Sequence, residues 1–123
     1  MKFILENTDG GYLIQRYDTG MIVIDEAVFR ESLILLPDRI ITDWSPSAVH
    51  ELTAQDFTRL ADLEPEIVLL GTGERQHFPH PTLSQSLMER RIGLEVMDTA
   101  AACRTYNILM AEGRRVAAAL FMI

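Results

Sequence analysis

Two short polar loops each follow a predicted strand and could line a ligand site. Gly71-Thr72-Gly73 follows the almost wholly apolar strand of residues 66–70, and Asp98-Thr99 follows the short strand of residues 94–97. Glycines let a ligand approach the backbone closely, and the N–H groups at a helix start attract anions. If the two strands are parallel neighbours, both loops lie at the carboxyl edge of the sheet, where open α/β sheets bind ligands. The predicted ligand residues are Gly71, Thr72, Gly73, Asp98, Thr99 and Arg104.

The glycine loop fits neither standard phosphate-binding pattern. It lacks the third glycine of a dinucleotide-binding loop, and no Gly-Lys-Ser/Thr follows it. The carboxylate of Asp98 also occupies the positive helix end that an anion would use. The simpler interpretation, which we favour, is that Gly71 and Gly73 permit a tight turn and close packing.

Cys103 is the candidate for a reactive thiol. It lies about one turn into the last predicted helix beside Arg104, and both features can lower the pKa of a thiol. A catalytic thiol also needs a general base, for which His77 and His80 are candidates if their loop folds back. The alternative, which we favour, is a small side chain that packs with residues 100–102 against the sheet.

His77 and His80 stand three residues apart, but zinc sites need three or four ligands and the chain has one cysteine. We predict neither a metal site nor a cofactor, and we predict no catalytic residue. The proline-rich loop that carries these histidines could still form a polar rim around the crevice.

The elements that must position these loops follow from the patterning. The first third indicates two pairs of β-strands, at residues 12–17 with 21–24 and at residues 28–36 with 39–44. The remainder alternates helix and strand, over residues 53–63, 66–70, 83–92, 94–97, 99–112 and 114–122.

Turn and cap residues mark the ends of the predicted helices. Thr53 is the expected N-cap of the first helix, and Thr82 with Gln85 forms a capping-box pattern for the second. Gly93 suits the exit of that second helix. Asp98 or Thr99 caps the last helix, and Gly113 suits its left-handed end.

Alternating helices and strands favour a sheet with helices packed on it and at least one parallel strand pair. The β-rich first third then either extends that sheet or packs as an extra layer. The chain length of 123 residues and the lack of a linker predict a single domain over residues 1–123.

Composition excludes several classes of function. Hydrophobic residues make up 48% and charged residues 24%, which is typical of a globular protein and not of a disordered one. A net charge of −7 disfavours nucleic acid as a partner. The longest apolar run, residues 116–123, is shorter than the about 20 residues of a membrane-spanning helix.

The compartment is expected to be a bacterial-type cytoplasm. A single cysteine forms no internal disulfide, so nothing in the sequence requires an oxidising environment. Residues 1–6 lack the apolar stretch of a signal peptide and the arginine-rich composition of a transit peptide.

Three stretches resemble one family of small uncharacterised domains. The most specific runs from Gly93 to Asn107 (GLEVMDTAAACRTYN) and continues at residues 112–120. The Leu-Leu-Gly-Thr-Gly segment of residues 69–73 and the strand pair of residues 33–44 are similar too. The family includes mitochondrial respiratory complex I assembly factor 3, the adipogenesis-associated domain protein and many bacterial relatives.

The resemblance implies an α/β fold of three layers, with helices on a mixed central sheet and an added N-terminal β-hairpin layer. It also implies kinship to proteins that assemble respiratory complex I, and it supplies no reaction. We therefore expect a non-catalytic protein-binding or assembly factor with protein partners. The alternative is a small-ligand-binding protein or enzyme that uses the crevice at Gly71–Gly73 and Asp98–Thr99. Pairing of sheet edges into a homo-oligomer also stays open.

Overall fold

Two β-sheets organise residues 11–123, the part of the chain that this computed structural model describes. The targeting expectation for residues 1–6 therefore lies outside the described residues. The strands are β1 (Ile14–Asp18), β2 (Met21–Ile24), β3 (Ala27–Phe29), β4 (Leu33–Leu36), β5 (Arg39–Ile41), β6 (Ile67–Gly71), β7 (Gly93–Met97) and β8 (Val116–Leu120). The α-helices are α1 (Ala54–Asp62), α2 (Gln85–Glu89) and α3 (Thr99–Ala111), and 3-10 turns cover Val49–Glu51 and Pro81–Ser84.

The larger sheet is mixed, as predicted. Its five strands lie in the order β5-β4-β8-β6-β7. β4 is antiparallel to β5 and β8, whereas β6 runs parallel to both β7 and β8. The smaller sheet holds β1, β2 and β3 in an antiparallel meander, so the added layer is a hairpin extended by a third strand.

Two hydrophobic clusters cover the two faces of the larger sheet and give the three-layer α/β fold that was expected. On one face, α1 and α2 pack over residues that include Ala117, Ala119 and Phe121. On the other face, α3 and the smaller sheet pack over residues that include Ala118 and Leu120. Every residue of β8 is buried because this central strand is covered on both sides.

Several predicted ends of helices are confirmed. The Thr53 hydroxyl accepts from the Asp56 N–H at 3.3 Å, and the Asp56 carboxylate accepts from the Thr53 N–H at 2.8 Å. This reciprocal pair satisfies two N–H groups at the start of α1. Asp98 caps α3 by accepting from the Ala101 N–H at 2.8 Å, and Gly113 has the left-handed φ of 81° after the end of α3.

The predicted strand over residues 28–36 is wrong, because the chain changes sheet within it. β3 ends at Phe29 in the smaller sheet, and β4 begins at Leu33 in the larger one. Between them the Ser32 hydroxyl donates to the Pro46 carbonyl at 2.6 Å, which ties the crossing point to the loop after β5. The return strand also ends early, at Ile41 rather than residue 44.

The predicted helix over residues 83–92 is also shorter and starts differently. His80, not Thr82, is the cap: its Nδ1 accepts from the Thr82 N–H at 3.3 Å and starts the 3-10 turn before α2. The chain leaves α2 through Arg91, whose φ is 60°, and Gly93 already belongs to β7. The side chains of Thr82 and Gln85 therefore form no capping box.

Candidate functional site

The loops after β6 and β7 lie side by side, as the parallel pairing requires. Gly71 is in register with Met97, and the Thr72 N–H donates to the Met97 carbonyl at 2.9 Å. The Thr99 N–H donates to the Gly73 carbonyl at 2.9 Å. The two loops are therefore bonded to each other directly.

The space between these two loops is filled by the protein's own atoms. The Thr99 side chain is fully buried, and its hydroxyl donates to the Phe121 carbonyl at 2.7 Å and accepts from the Gly73 N–H at 2.8 Å. A Cβ added at Gly71 would lie 2.9 Å from Leu120 Cδ2 and 3.0 Å from Thr99 Oγ1. Gly71 thus allows close packing of α3 on the sheet.

The other predicted ligand residues have separate contacts. The Asp98 carboxylate is engaged as the cap of α3. Arg104 points toward the smaller sheet, where its guanidinium donates to the Tyr17 hydroxyl at 2.8 Å. The structure brings Gly71, Gly73 and Thr99 into contact and directs Arg104 elsewhere. Ligand binding by the set stays a prediction.

A cleft of about 610 Å³ opens beside the glycine loop, and we call it the Gly-loop cleft. It lies between that loop, the 3-10 turn Val49–Glu51, the proline-rich loop and the end of the chain. Its lining consists of Ser47, Ala48, Val49, His50, Leu52, Thr72, Gly73, Glu74, His77, Phe78, Pro79, His80, Leu83, Phe121 and Met122. Of the predicted ligand residues, Thr72 and Gly73 are in this lining.

The Thr72 hydroxyl holds the wall of the Gly-loop cleft in shape. It donates toward the Arg75 carbonyl and accepts from the His77 N–H at 3.2 Å, and the Thr72 residue is 6% exposed. The loop from residue 72 to residue 77 is therefore closed on itself. The Thr72 hydroxyl thus holds the backbone of Arg75 and His77 in place at the cleft.

Three histidines, His50, His77 and His80, are among the residues that line the Gly-loop cleft. His80 uses Nδ1 for Thr82, which leaves its Nε2 for other partners, and His50 Nε2 lies 3.9 Å from a Glu51 carboxylate oxygen. Within the described chain, no group of three His, Cys, Asp or Glu side chains could hold a metal ion. The polar and apolar side chains of the lining offer hydrogen bonding and apolar contact. The 3-10 turn of one wall has no distinctive sequence pattern, whereas the loop of His77 and His80 on the other wall is predicted from the sequence as a polar rim.

Phe78 projects from the proline-rich loop at the cleft and is 71% exposed. Its neighbours Pro79 and Pro81 restrict the backbone, so the ring is presented by a stiffened segment. Aromatic residues, phenylalanine included, are enriched at protein–protein interfaces relative to the rest of the surface.

Cys103 lies within the core between α3 and the larger sheet. It is 1% exposed, and burial raises the pKa of its thiol to about 12, while nearby Arg104 acts in the opposite direction with smaller effect. A buried thiol with a raised pKa has the properties of a structural cysteine.

No helix among residues 11–123 is long and apolar enough to cross a membrane.

Known proteins with similar sequences and folds bear on the identity of this chain. A Bordetella parapertussis protein of known crystal structure is 37% identical, with a TM-score of 0.87 over 93% of this chain and 98% of that one. The mouse protein named NADH dehydrogenase [ubiquinone] 1 alpha subcomplex assembly factor 3 is 39% identical over 111 residues, 89% of this chain. This chain spans 59% of that relative's length. A Francisella tularensis protein named 13 kDa major membrane protein is 23% identical over 90% of this chain and 91% of its own length.

The sequence model of one family covers nearly all of the described residues. It matches residues 14–121 and is described as "Protein of unknown function (DUF498/DUF598)". Since this match includes both sheets and all three α-helices, the chain belongs to the DUF498/DUF598 family.

Proposed function

We propose that this protein is a non-catalytic, protein-binding assembly factor. The observation that carries the proposal is the 39% identity, over 89% of the chain, to a mouse protein named as an assembly factor of NADH dehydrogenase. We propose that the partner is a subunit of NADH dehydrogenase, by analogy with that name. Because this chain spans 59% of the relative's length, the partner is part of the proposal.

Two surface properties support protein binding. Phe78 is 71% exposed beside the Gly-loop cleft, which has room for a side chain of a partner. The net charge of −7 favours association with a basic surface, because opposite potentials steer two proteins together. A few anchor residues that become buried in pockets carry most of the binding energy in many interfaces, and aromatic residues are enriched among interface residues.

Affinity purification of the tagged protein from its own host, with quantitative mass spectrometry, tests the proposal. We expect a specific partner at near-stoichiometric amounts. Phe78→Ala should weaken its binding by about tenfold, because an interface anchor contributes more than 1 kcal/mol. Met88→Ala is the matched control, since Met88 is a 74% exposed apolar residue on α2, away from the cleft lining.

The proposal fails if no specific protein is recovered while the purified protein turns over a metabolite. If Phe78→Ala and Met88→Ala weakened binding of the partner equally, the Gly-loop cleft would not be the site that binds it.

A small-ligand site in the Gly-loop cleft is the second candidate function. Its volume of about 610 Å³ lies within the range of ligand pockets, and Thr72 and Gly73 of the predicted ligand set are on its wall. A thermal-shift screen against nucleotides, acyl carriers and organic acids tests it. A stabilisation that His77→Ala abolishes supports this candidate, and the absence of any stabilising compound contradicts it.

We also propose a cytoplasmic location. The lack of a membrane-crossing helix among the described residues is compatible with it, whereas the name of the Francisella tularensis relative points to membranes. Cell fractionation with immunodetection decides between them, and recovery in a carbonate-washed membrane fraction would contradict the proposal.

A further inference from the structure

β7 forms one edge of the larger sheet. Within the described chain it pairs with β6 alone, in parallel register from Ile67 opposite Gly93 to Gly71 opposite Met97. A strand at a sheet edge leaves the N–H and C=O groups of every second residue without a neighbouring strand.

Backbone hydrogen bonds at the two ends of β7 show which residues face β6. The Gly93 N–H donates to the Glu66 carbonyl at 3.2 Å, and the Met97 carbonyl accepts from the Thr72 N–H at 2.9 Å. Backbone groups alternate direction along a strand. Those of Gly93 and Met97 are therefore used within the sheet.

The same alternation assigns the remaining residues of β7. Glu95 faces β6, whereas Leu94 and Val96 direct their N–H and C=O groups outward. One contact agrees with this assignment directly: the exposed side chain of Gln76 donates from Nε2 to the Val96 carbonyl at 2.9 Å. Among residues 11–123, this side chain is the one that occupies an outward group, the Val96 carbonyl, out of four.

The side chains along β7 alternate in chemistry as well as in direction. Leu94 and Val96 are partly buried against the cluster beneath α1 and α2. Glu95 points to the opposite face, is exposed, and has no ion pair among residues 11–123. An added strand would therefore meet apolar neighbours on one face and a carboxylate on the other.

We propose that the outward edge of β7 binds an extended segment of a partner protein as an additional strand. The segment carries apolar residues beside Leu94 and Val96 and a lysine or arginine beside Glu95. Main-chain hydrogen bonds supply affinity in this mode of binding, and alternate side chains supply specificity. The inference rests on the proposed protein-binding function and adds the conformation and charge of the partner segment.

A second copy of this chain fits the edge poorly. The antiparallel register that uses all four outward groups pairs Leu94 with Val96 of the second copy. That register places Glu95 directly opposite Glu95 of the second copy, and like charges at opposed positions destabilise a strand pair. A basic segment makes the same backbone bonds and gains an attractive pair.

The other strand edges among the described residues offer less. Asn107 occupies both backbone groups of Ile14 on β1, accepting from its N–H at 2.9 Å and donating to its carbonyl at 2.8 Å. β3 (Ala27–Phe29) and β5 (Arg39–Ile41) have three residues each, against five in β7.

The direct test uses a fluorescein-labelled, end-blocked peptide of alternating lysine and valine, seven residues long. Anisotropy gives its affinity, and amide hydrogen exchange by NMR locates it. We expect new protection at the Leu94 and Val96 amides and no change at Glu95, which is already bonded to β6. A peptide of the same composition with its valines contiguous should bind about threefold more weakly, because no register places valines beside both Leu94 and Val96 and a lysine beside Glu95.

Three variants sharpen the test. Glu95→Lys should lower the affinity for the lysine–valine peptide by about threefold and should raise the affinity for a glutamate–valine peptide. Gln76→Ala should strengthen binding by about threefold, because it removes the side chain that competes for the Val96 carbonyl. Val96→Pro should abolish binding, because it removes an outward N–H that β6 does not use. Glu112→Lys is the matched control for charge, since Glu112 is exposed after the end of α3.

Four results would overturn the inference. The first is binding without protection at Leu94 and Val96. The second is equal weakening by Glu95→Lys and Glu112→Lys, which would indicate unspecific charge attraction. The third is a dimer of the unmodified protein, measured by light scattering, whose stability the Glu95→Lys variant changes in either direction. That result would place a second copy of the chain at the β7 edge. The fourth is a cellular partner retained equally by the unmodified protein and the Glu95→Lys variant.

The fourth result leaves the proposed function standing, whereas protection of the edge by the peptide without any cellular partner removes the proposed function alone. Glu95→Lys decides the case even if Val96→Pro fails to fold, because Glu95 is exposed.

Discussion

Thr99 connects three segments through one hydroxyl group. It accepts from Gly73 in the glycine loop and donates to Phe121 after β8, while its own backbone begins α3. The residue is fully buried, so both partners would lack a hydrogen bond without it. The residue type suits a ligand site in the sequence, and the contacts show a structural role.

Replacing Thr99 with valine tests that role. Thr99→Val keeps the shape and leaves the Gly73 N–H and the Phe121 carbonyl unsatisfied, which should lower the free energy of unfolding by about 2–4 kcal/mol. Thr99→Ser retains the hydroxyl and should cost clearly less. Urea denaturation measures both. Equal losses for the two variants would show that the hydroxyl contributes nothing.

Cys103 should react slowly with iodoacetamide at neutral pH. Its thiol is buried and has a pKa of about 12, so the thiolate is scarce and inaccessible in the folded protein. Urea should accelerate the labelling strongly, as followed by mass spectrometry. A second cysteine introduced as Met88→Cys, at a 74% exposed position, is the control for rapid labelling. Rapid labelling of native Cys103 would favour the thiol-enzyme interpretation instead.

At the scale of elements, one carboxylate joins the starts of two parallel strands. Glu66 precedes β6, and Arg114 and Arg115 precede β8. The Glu66 carboxylate accepts from the Arg115 N–H at 3.2 Å and from Arg114 Nε at 3.2 Å, and the Glu66 N–H donates to the Arg115 carbonyl at 2.8 Å. These bonds hold β6 and β8 in register where both begin.

This junction predicts a loss of stability in acid. The backbone hydrogen bond from Arg115, followed by that from Arg114, lowers the pKa of Glu66 below its ordinary value of 4.5. Because the folded-state pKa is the lower one, the contribution to stability is complete above pH 4.5 and disappears as the pH falls through the folded-state pKa.

Glu66→Gln should therefore reduce the pH dependence of the unfolding free energy below pH 4.5, as measured by urea denaturation at several pH values. Glu112→Gln, which changes an exposed carboxylate after α3, should leave that dependence unchanged. An identical acid profile for Glu66→Gln and the unmodified protein would contradict the assignment.

At the scale of the whole molecule, side chains of α3 tie the smaller sheet to the rest. Asn107 bonds both backbone groups of Ile14, and the Tyr106 hydroxyl donates to the Tyr12 carbonyl at 2.8 Å. The contact of Tyr106 and the contact of Asn107 each join residues that are more than ninety positions apart in the sequence. The smaller sheet therefore depends on α3 for its placement.

Asn107→Ala should lower the free energy of unfolding by about 1–3 kcal/mol, because it leaves the Ile14 N–H and carbonyl without their partner. Amide exchange in β1 and β2 should accelerate more than in β6 and β8. Ile108→Ala, at a 60% exposed neighbouring position of α3, should change little. Coincident unfolding of both sheets in the unmodified protein would support the predicted single domain over residues 1–123, and separate transitions would contradict it.

The sequence by itself determined the elements that short-range physics controls. Capping by Thr53 and Asp98, the left-handed end at Gly113 and the apolar runs of β6 and β8 act within about one turn or one strand. The alternation of helix and strand then led to a mixed sheet, and the parallel pair brought the loops after β6 and β7 together.

Only the tertiary structure decided what those elements enclose. The chain changes sheet at Ser32, whose hydroxyl bonds to the distant Pro46 carbonyl. The wall of the Gly-loop cleft combines a 3-10 turn near residue 50 with a loop near residue 78. A threonine at position 99 would suit an open crevice as well as a buried junction. The hydrogen bond from its hydroxyl to the Phe121 carbonyl identifies the junction. Contacts between distant segments leave no local pattern in a sequence, so hydrogen-bond satisfaction and close packing in the folded chain determine which polar residues remain available for function.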